Sequence, residues 1–302
     1  MAPKVFDQLA FRERTRREVL QKSDLMPSLP DLVMKILRLL NDGGADLSEF
    51  EELLRNDTTL VARMLRVVNS PFYGMARQIT SIKEAVLVLG FRSLRGLVLA
   101  ASTAPYLEQD FACYGFQGKG LWTHSLAVAS GARTLSKFLG KNAEYREEAF
   151  VAGLLHDIGK ILLSPYLSRL GKDVFGGEAP LIEVESAVLG IDHQEAGAKL
   201  AQKWNLTPLV TEVVEAHHSF PKPGPHQETV ATVRLSNLFA HQLGIGKGES
   251  AKDAGWEDPA EYTKDLDLLG LDDVAWEDAQ EEMRDAVDAA ISSLSNLSGG
   301  KN

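Results

Sequence analysis

The chain has 302 residues with 44% hydrophobic and 25% charged side chains, which is enough apolar material to bury a core without covalent staples. Its single cysteine, Cys113, excludes an internal disulfide and fits a reducing compartment. The net charge is −10, but 15 acidic and 3 basic residues between Glu249 and Asp288 contribute −12 of it; the remaining +2 excludes a broad basic face for DNA.

Residues 1–24 read as a helical extension whose arginines, Arg12, Arg14, Arg16 and Arg17, form a solvated face. They also interrupt any apolar stretch of signal-peptide length, and no apolar run, Ala85–Phe91 being among the longest, reaches bilayer thickness. The expectation is a cytoplasmic protein with no membrane span. Ser28-Leu-Pro30 opens a helix with apolar residues at Leu32, Val33, Ile36, Leu37 and Leu40, stopped at Asn41-Asp-Gly-Gly44. Asp46 and Asp57 cap two further helices, the second ending at Ser70-Pro71. Ser81-Ile-Lys-Glu84 has the form of a capping box, with Gly90 closing a short helix and another running from Arg92 to Pro105.

A glycine-bearing loop, Gln109–Gly120, reads as the hinge to a second helical set. Its helices are expected at Leu121–Leu139, Glu144–Leu155, Leu181–Leu189, Asp192–Trp204, Pro208–His217 and Glu228–Leu243. Beyond Gly244 the chain reads as an acidic loop followed by one helix, Ala275–Leu294. The fold class is all-α: residues 25–110 form an N-terminal bundle packed on a metal-binding half at 111–247, with an acidic segment at 248–302.

Five of the seven histidines, His124, His156, His193, His217 and His218, fall in the second set and, with Asp157, run in the order H…HD…H…HH. Neutral imidazoles and a carboxylate are good ligands for a first-row transition metal, and helices of a bundle can bring them to one point. An Asp beside a His allows one residue to bind an ion while the carboxylate bridges two. The donor set suits a divalent transition metal, one or two ions, with iron first and manganese, zinc and nickel behind it. His226 and His241 read as surface residues, Phe72, Tyr73 and Trp204 as packing residues, and Cys113 as an idle thiol.

Leu154-Leu-His-Asp-Ile-Gly-Lys160 resembles the motif of HD-superfamily metal-dependent phosphohydrolases. Pro27-Ser-Leu-Pro30, Val68-Asn-Ser-Pro-Phe-Tyr-Gly74, Ser81-Ile-Lys-Glu-Ala-Val86 and Asp192-His-Gln-Glu-Ala-Gly197 are similar to the HDOD domain, the HD-related output domain of bacterial signalling proteins. The resemblance spans about residues 25–245 and implies His124, His156, Asp157, His193, His217 and His218 as metal ligands. It also implies Lys160 as a phosphate contact, with Asp157 and Lys160 as the catalytic pair should the site turn over. In the related HD-GYP phosphodiesterases a final aspartate completes the set; Asn237 stands there, a weaker ligand through its carbonyl oxygen. The Gly-Tyr-Pro stretch is replaced by Ser219-Phe-Pro-Lys-Pro-Gly-Pro-His226, so no cyclic-dinucleotide pocket is implied. The resemblance therefore implies a signalling module that keeps its metal, with a signalling protein as partner and a phosphate or nucleotide as small ligand. The alternative is a metal-dependent phosphohydrolase acting on a nucleotide or another phosphoester.

Overall fold

The computed structural model describes residues 5–25, 29–41, 46–55, 57–69, 73, 75, 77–170, 179–245 and 259–295. Among these the fold is all-α, with fourteen helices and no strand. In the first half these are α1 (Val5–Leu25), α2 (Asp31–Asn41), α3 (Leu47–Leu54), α4 (Thr58–Val68) and α5 (Ile82–Leu107). A 3-10 turn at Ala112–Tyr114 leads into α6 (Gly120–Phe138), α7 (Ala143–Leu155), α8 (Lys160–Leu167), α9 (Leu181–Leu189) and α10 (His193–Lys203). The chain continues through α11 (Pro208–Ala216), α12 (Gln227–Gln242), α13 (Pro259–Leu269) and α14 (Asp273–Ser295).

The helices start where short polar side chains can satisfy free N–H groups. Asp57 accepts from the Leu60 N–H at 2.8 Å, Asn142 from Tyr145 at 2.9 Å and Asp192 from Glu195 at 2.9 Å. Asp46 accepts from Ser48 at 3.0 Å and Ser81 from Glu84 at 3.2 Å. The Glu84 carboxylate accepts from the Thr80 N–H rather than from that of Ser81, so the expected box closes one residue early. Gly90 breaks the run as its position implies: at φ 76° and ψ 163° it is non-helical, so α5 is two helical stretches that meet at a kink there. Pro105 does not end the second stretch. In the last turn a proline removes a single donor, and the helix runs on to Leu107. The expected signals at Ser28, Gly43-Gly44 and Ser70-Pro71, together with Phe72, lie outside the described residues.

Helix α6 is the axis of the second half, buried from Leu121 to Ala132 except at Thr123. It is lined by small residues, so its neighbours approach closely: a Cβ on Gly153 of α7 would sit 3.0 Å from the Ala129 Cα. One on Gly131 would meet Met283 of α14 at 3.0 Å. Tyr73 and Trp204 are buried, as packing residues should be. Residues 143–167 are the described stretch long and apolar enough to cross a membrane, and an 18-residue apolar window within them is 83% buried in this core.

Three segments depart from the expectation. Helix α1 is not a free solvated face: Arg12 donates to the Ser186 carbonyl at 3.0 Å and Arg16 to that of Gly190 at 2.8 Å. Arg16 also pairs with the Glu195 carboxylate, tying α1 across α9 and α10. Helix α8 was not expected, because it is short and contains Pro165. Helix α13 replaces part of the acidic loop, and Asp265 on it is fully buried, accepting from Arg234 Nε at 2.9 Å. A charge of the acidic segment thus serves as a core ion pair. Asp265→Ala leaves the Arg234 guanidinium buried without its carboxylate, and urea unfolding is expected to show a loss of about 3–5 kcal/mol. Adding Arg234→Met should recover much of that loss.

Candidate metal centre

Four helices deliver the predicted ligands to one point. His156 caps the C-terminus of α7, Asp157 follows in the turn to α8, and His193 is the first residue of α10 after its Asp192 cap. His217 caps the C-terminus of α11, His218 follows it, and His124 projects from within α6. The turn at 156–159 fits against α10 only because residue 159 is glycine. A Cβ there would lie 1.9 Å from the His193 carbonyl oxygen and 2.7 Å from the Gly197 N. Gly197 makes the reciprocal accommodation, since its own Cβ would fall 2.7 Å from Val214. Two glycines therefore set the distance between the His-Asp turn and the His193 helix.

Asp157 is the hub, and its two oxygens face different histidines. Oδ1 lies 3.4 Å from His193 Nε2 and 3.5 Å from His217 Nε2. Oδ2 lies 3.4 Å from His156 Nε2, 3.7 Å from His124 Nε2 and 2.6 Å from Lys160 Nζ. The donor atoms form two groups that share the carboxylate: Asp157, His193, His217 and His218, and His124, His156 and Asp157.

Outer partners fix four of the five imidazoles with Nε2 turned inward. Nδ1 of His156 donates to the Gly153 carbonyl at 2.7 Å, that of His217 to Val214 at 2.9 Å and that of His124 to Ile245 at 3.2 Å. Nδ1 of His193 donates to Glu185 Oε2 at 2.7 Å, and the other Glu185 oxygen accepts from the Tyr114 hydroxyl at 2.7 Å. Carbonyls and carboxylates only accept, so these bonds place the ring proton on Nδ1 and leave the Nε2 lone pair toward Asp157. Burial pushes His156 well below the usual imidazole range and His217 below it, so both rings are neutral. Burial acts the same way on His193, but the Glu185 carboxylate outweighs it and raises that ring. Burial also opposes the charge of Asp157; the Lys160 ammonium and the surrounding imidazoles nevertheless hold its carboxyl well below the usual range.

A cation satisfies this arrangement. His193 Nε2 stands 3.2 Å from His217 Nε2, so those two lone pairs face one another across the centre, and His218 Nε2 lies 3.1 Å from the same His193 nitrogen. His156 Nε2 and Asp157 Oδ1 are buried and have no hydrogen-bond partner. One proton on His193 would serve one of these atoms and leave the others unmet. With metal–nitrogen bonds of about 2.0–2.1 Å, a tetrahedral ion needs donors about 3.3–3.4 Å apart. Four of the spacings around Oδ1 run from 3.1 to 3.5 Å, all four donors lie within 4.8 Å of one another, and the residues fit a transition metal.

Asn237 lies buried on α12, and its Oδ1 has no hydrogen-bond partner. One turn on, His241 is half-buried and its ring sits 4.9 Å from that of His124, so it is not the surface residue its position at a helix end implied. Lys160 is 2% exposed and is held against Asp157, with its ammonium over the rings of Tyr114 and Phe116 at 5.6 and 5.5 Å. Glu185 and Tyr114 escaped sequence reasoning. The one signal for Glu185 was a carboxylate in the apolar run Leu181–Leu189, eight residues before His193.

Residues 26–220 match the family model of the HDOD domain. The chain belongs to the HDOD family. The match includes every ligand candidate from His124 to His218, whereas Asn237 and His241 fall beyond it. An HDOD domain protein of unknown function from Geobacter sulfurreducens is similar in structure, with a TM-score of 0.74, 26% identity and coverage of 96% of this chain and 99% of that one. A "Putative phosphohydrolase" from Shewanella amazonensis SB2B has a TM-score of 0.72 and 25% identity over 93% of this chain and 98% of its own. An uncharacterized protein of Treponema pallidum (strain Nichols) is 28% identical over 225 residues, 73% of this chain. The chain spans 43% of the length of that curated relative.

Two substitutions test the construction of this HDOD centre. Gly159→Ala, which drives a methyl into the backbone of α10, should cost at least about 3 kcal/mol in urea unfolding and abolish metal retention. Glu185→Gln keeps the shape but removes the charge behind His193. Competition with a chromogenic chelator should show metal affinity down by about 10–100-fold with the helical circular dichroism unchanged.

Proposed function

We propose that this protein is a regulatory HDOD module of bacterial signal transduction, cytoplasmic, organised around a retained transition-metal centre. The observation that carries the reading is the burial of the donors: His124, His156, Asp157, His193 and His217 are each at most 1% exposed. A phosphoester of nucleotide size needs open room at its metal, whereas an ion that fixes or reports a conformation does not. The mixed imidazole and carboxylate donors favour iron, ahead of manganese, zinc and nickel, and the sharing of Asp157 between two donor groups supports room for up to two ions. Residues 25–110 supply the partner surface in this reading, 111–247 the metal half and 248–302 an acidic extension. Leu87 and Val88, exposed by 73% and 50% beside the Gly90 kink, support a signalling protein as the partner met there. Of the phosphate or nucleotide that the resemblance implies as small ligand, phosphate is the one that an ammonium beside the carboxylate would recognise in so closed a site.

The second reading is a metal-dependent phosphohydrolase. It is favoured by the Lys160–Asp157 contact at 2.6 Å and by the likeness to the Shewanella protein. When bound, the metal would supply an acidified water, while Asp157 would position the ion and Lys160 would hold negative charge on a phosphoryl oxygen. Protein purified without chelators should carry stoichiometric transition metal, and that metal should raise its melting temperature. The loaded protein should show no turnover of bis-p-nitrophenyl phosphate or cyclic dinucleotides with added iron or manganese. Turnover that disappears in His156→Ala would establish the phosphohydrolase instead.

A further inference from the structure

The two donor groups around Asp157 differ in a way that decides how many ions the centre takes. On the Oδ1 side three imidazole nitrogens meet one carboxylate oxygen, with donor spacings of 3.1, 3.2, 3.4 and 3.5 Å. These are four of the six spacings among the donors, which all lie within 4.8 Å of one another, so this side offers four donors to one ion. His193 there is backed by the Glu185 carboxylate, and Glu185 is itself held by Tyr114, so the anionic support behind the ligands is concentrated on this side. Ala216 and Ser219, the residues on either side of His217-His218, line a groove of about 770 Å³, and His218 is the only half-exposed ligand candidate among the histidines. The Oδ1 side therefore combines four donors with the one half-exposed histidine among the ligand candidates.

The Oδ2 side has two imidazoles, with the uncharged Asn237 at the position where the related enzymes have a further aspartate, and Oδ2 itself already contacts a cation. Lys160 Nζ is 2.6 Å from Oδ2, closer than either His156 or His124 Nε2 at 3.4 and 3.7 Å. The ammonium is not free to leave easily: it is 2% exposed, and the faces of Tyr114 and Phe116 lie over it. A divalent ion bound to the same oxygen would stand within a few ångströms of a fixed positive charge in a buried site, where screening is weak. No second carboxylate among these donors is available to offset it, because both Glu185 oxygens are engaged with His193 and Tyr114.

We propose that Lys160 is the built-in occupant of the second cation position, so that the protein binds one ion, at Asp157 Oδ1 with His193, His217 and His218, and excludes a second from the His124–His156 side. The proposal rests on the metal reading above and deepens it: Lys160 sets the stoichiometry of the centre. The room for two ions is real in the donor geometry, and the lysine charge leaves half of it closed.

The test is a count of bound zinc. The full chain is stripped by dialysis against a chelator, reloaded with excess zinc, desalted and analysed for metal per chain. Wild type should hold one ion and Lys160→Met two, with the additional ion lost again in Lys160→Met/His124→Ala. In the wild-type background His218→Ala should weaken zinc binding at least tenfold, while His124→Ala should leave the single ion in place. This pair keeps the proposal open to refutation even where Lys160→Met does not fold. Two ions in wild type, one ion in folded Lys160→Met, or loss of the ion from His124→Ala but not from His218→Ala would each overturn the assignment while leaving a metal centre standing. No zinc retained by any variant would overturn the metal reading itself, and this inference with it.

Discussion

A carboxylate removed from water is the constraint from which the centre of this protein follows. Asp157 is 1% exposed, and a charge so placed is tolerable only among positive or hydrogen-bonding partners. Its neighbours are one ammonium and four imidazoles, and two of those rings are themselves held neutral by burial. Lys160 balances one oxygen. The other faces imidazole nitrogens, an arrangement that a cation placed among them would stabilise. The same interior that makes Asp157 costly thus makes an ion there strongly held, since its attraction to the carboxylate is little screened.

Backbone proximity makes this arrangement attainable. Apart from His124, the candidate ligands come from helix ends, where a side chain can point past the helix instead of across it, and the ends must converge within a few ångströms. Gly159 against Gly197, and Gly153 against Ala129, bring the α7–α8 turn to its neighbours at distances that a side chain on the glycine would forbid. The outer shell then fixes ring orientation from the same helix ends. The His156 and His217 Nδ1 protons go to carbonyls three residues earlier, which the termini leave unpaired, so the local ending of each helix aims its own ligand. Packing, capping and ligand orientation are one construction here.

Much of this was legible in the sequence because it is local. Caps at Asp46, Asp57, Ser81 and Asp192 act over two or three residues, and the His-Asp motif with its spaced histidines marks the candidate donor set directly. What escaped is long-range or rule-breaking. The charges of Arg16 and Asp265 look alike to composition, yet one ties α1 to Glu195 and the other is buried against Arg234. Pro165 masks α8, and a proline in the final turn of α5 costs too little to end it. Glu185 looks like any helix glutamate until the fold sets it 2.7 Å from His193 Nδ1. His241 at a helix end gave no hint that its ring would lie against His124.

The ties across the molecule also give the centre a mechanical reach. Arg12 and Arg16 of α1 hold the carbonyls of Ser186 and Gly190, on the helix that carries Glu185 and in the turn that follows it. Glu185 orients His193, and the neighbouring cap Asp192 starts the helix on which His193 is the first residue. A shift of α1 would therefore bear on the outer shell of the metal ligands through three residues, without passing through the centre itself. On the opposite side α14 packs on α6, which carries His124. An ion bound among these helices stabilises whichever relative placement of them completes its coordination, by its differential affinity for that placement. That property serves a regulatory module as well as an enzyme, and it requires no substrate to enter.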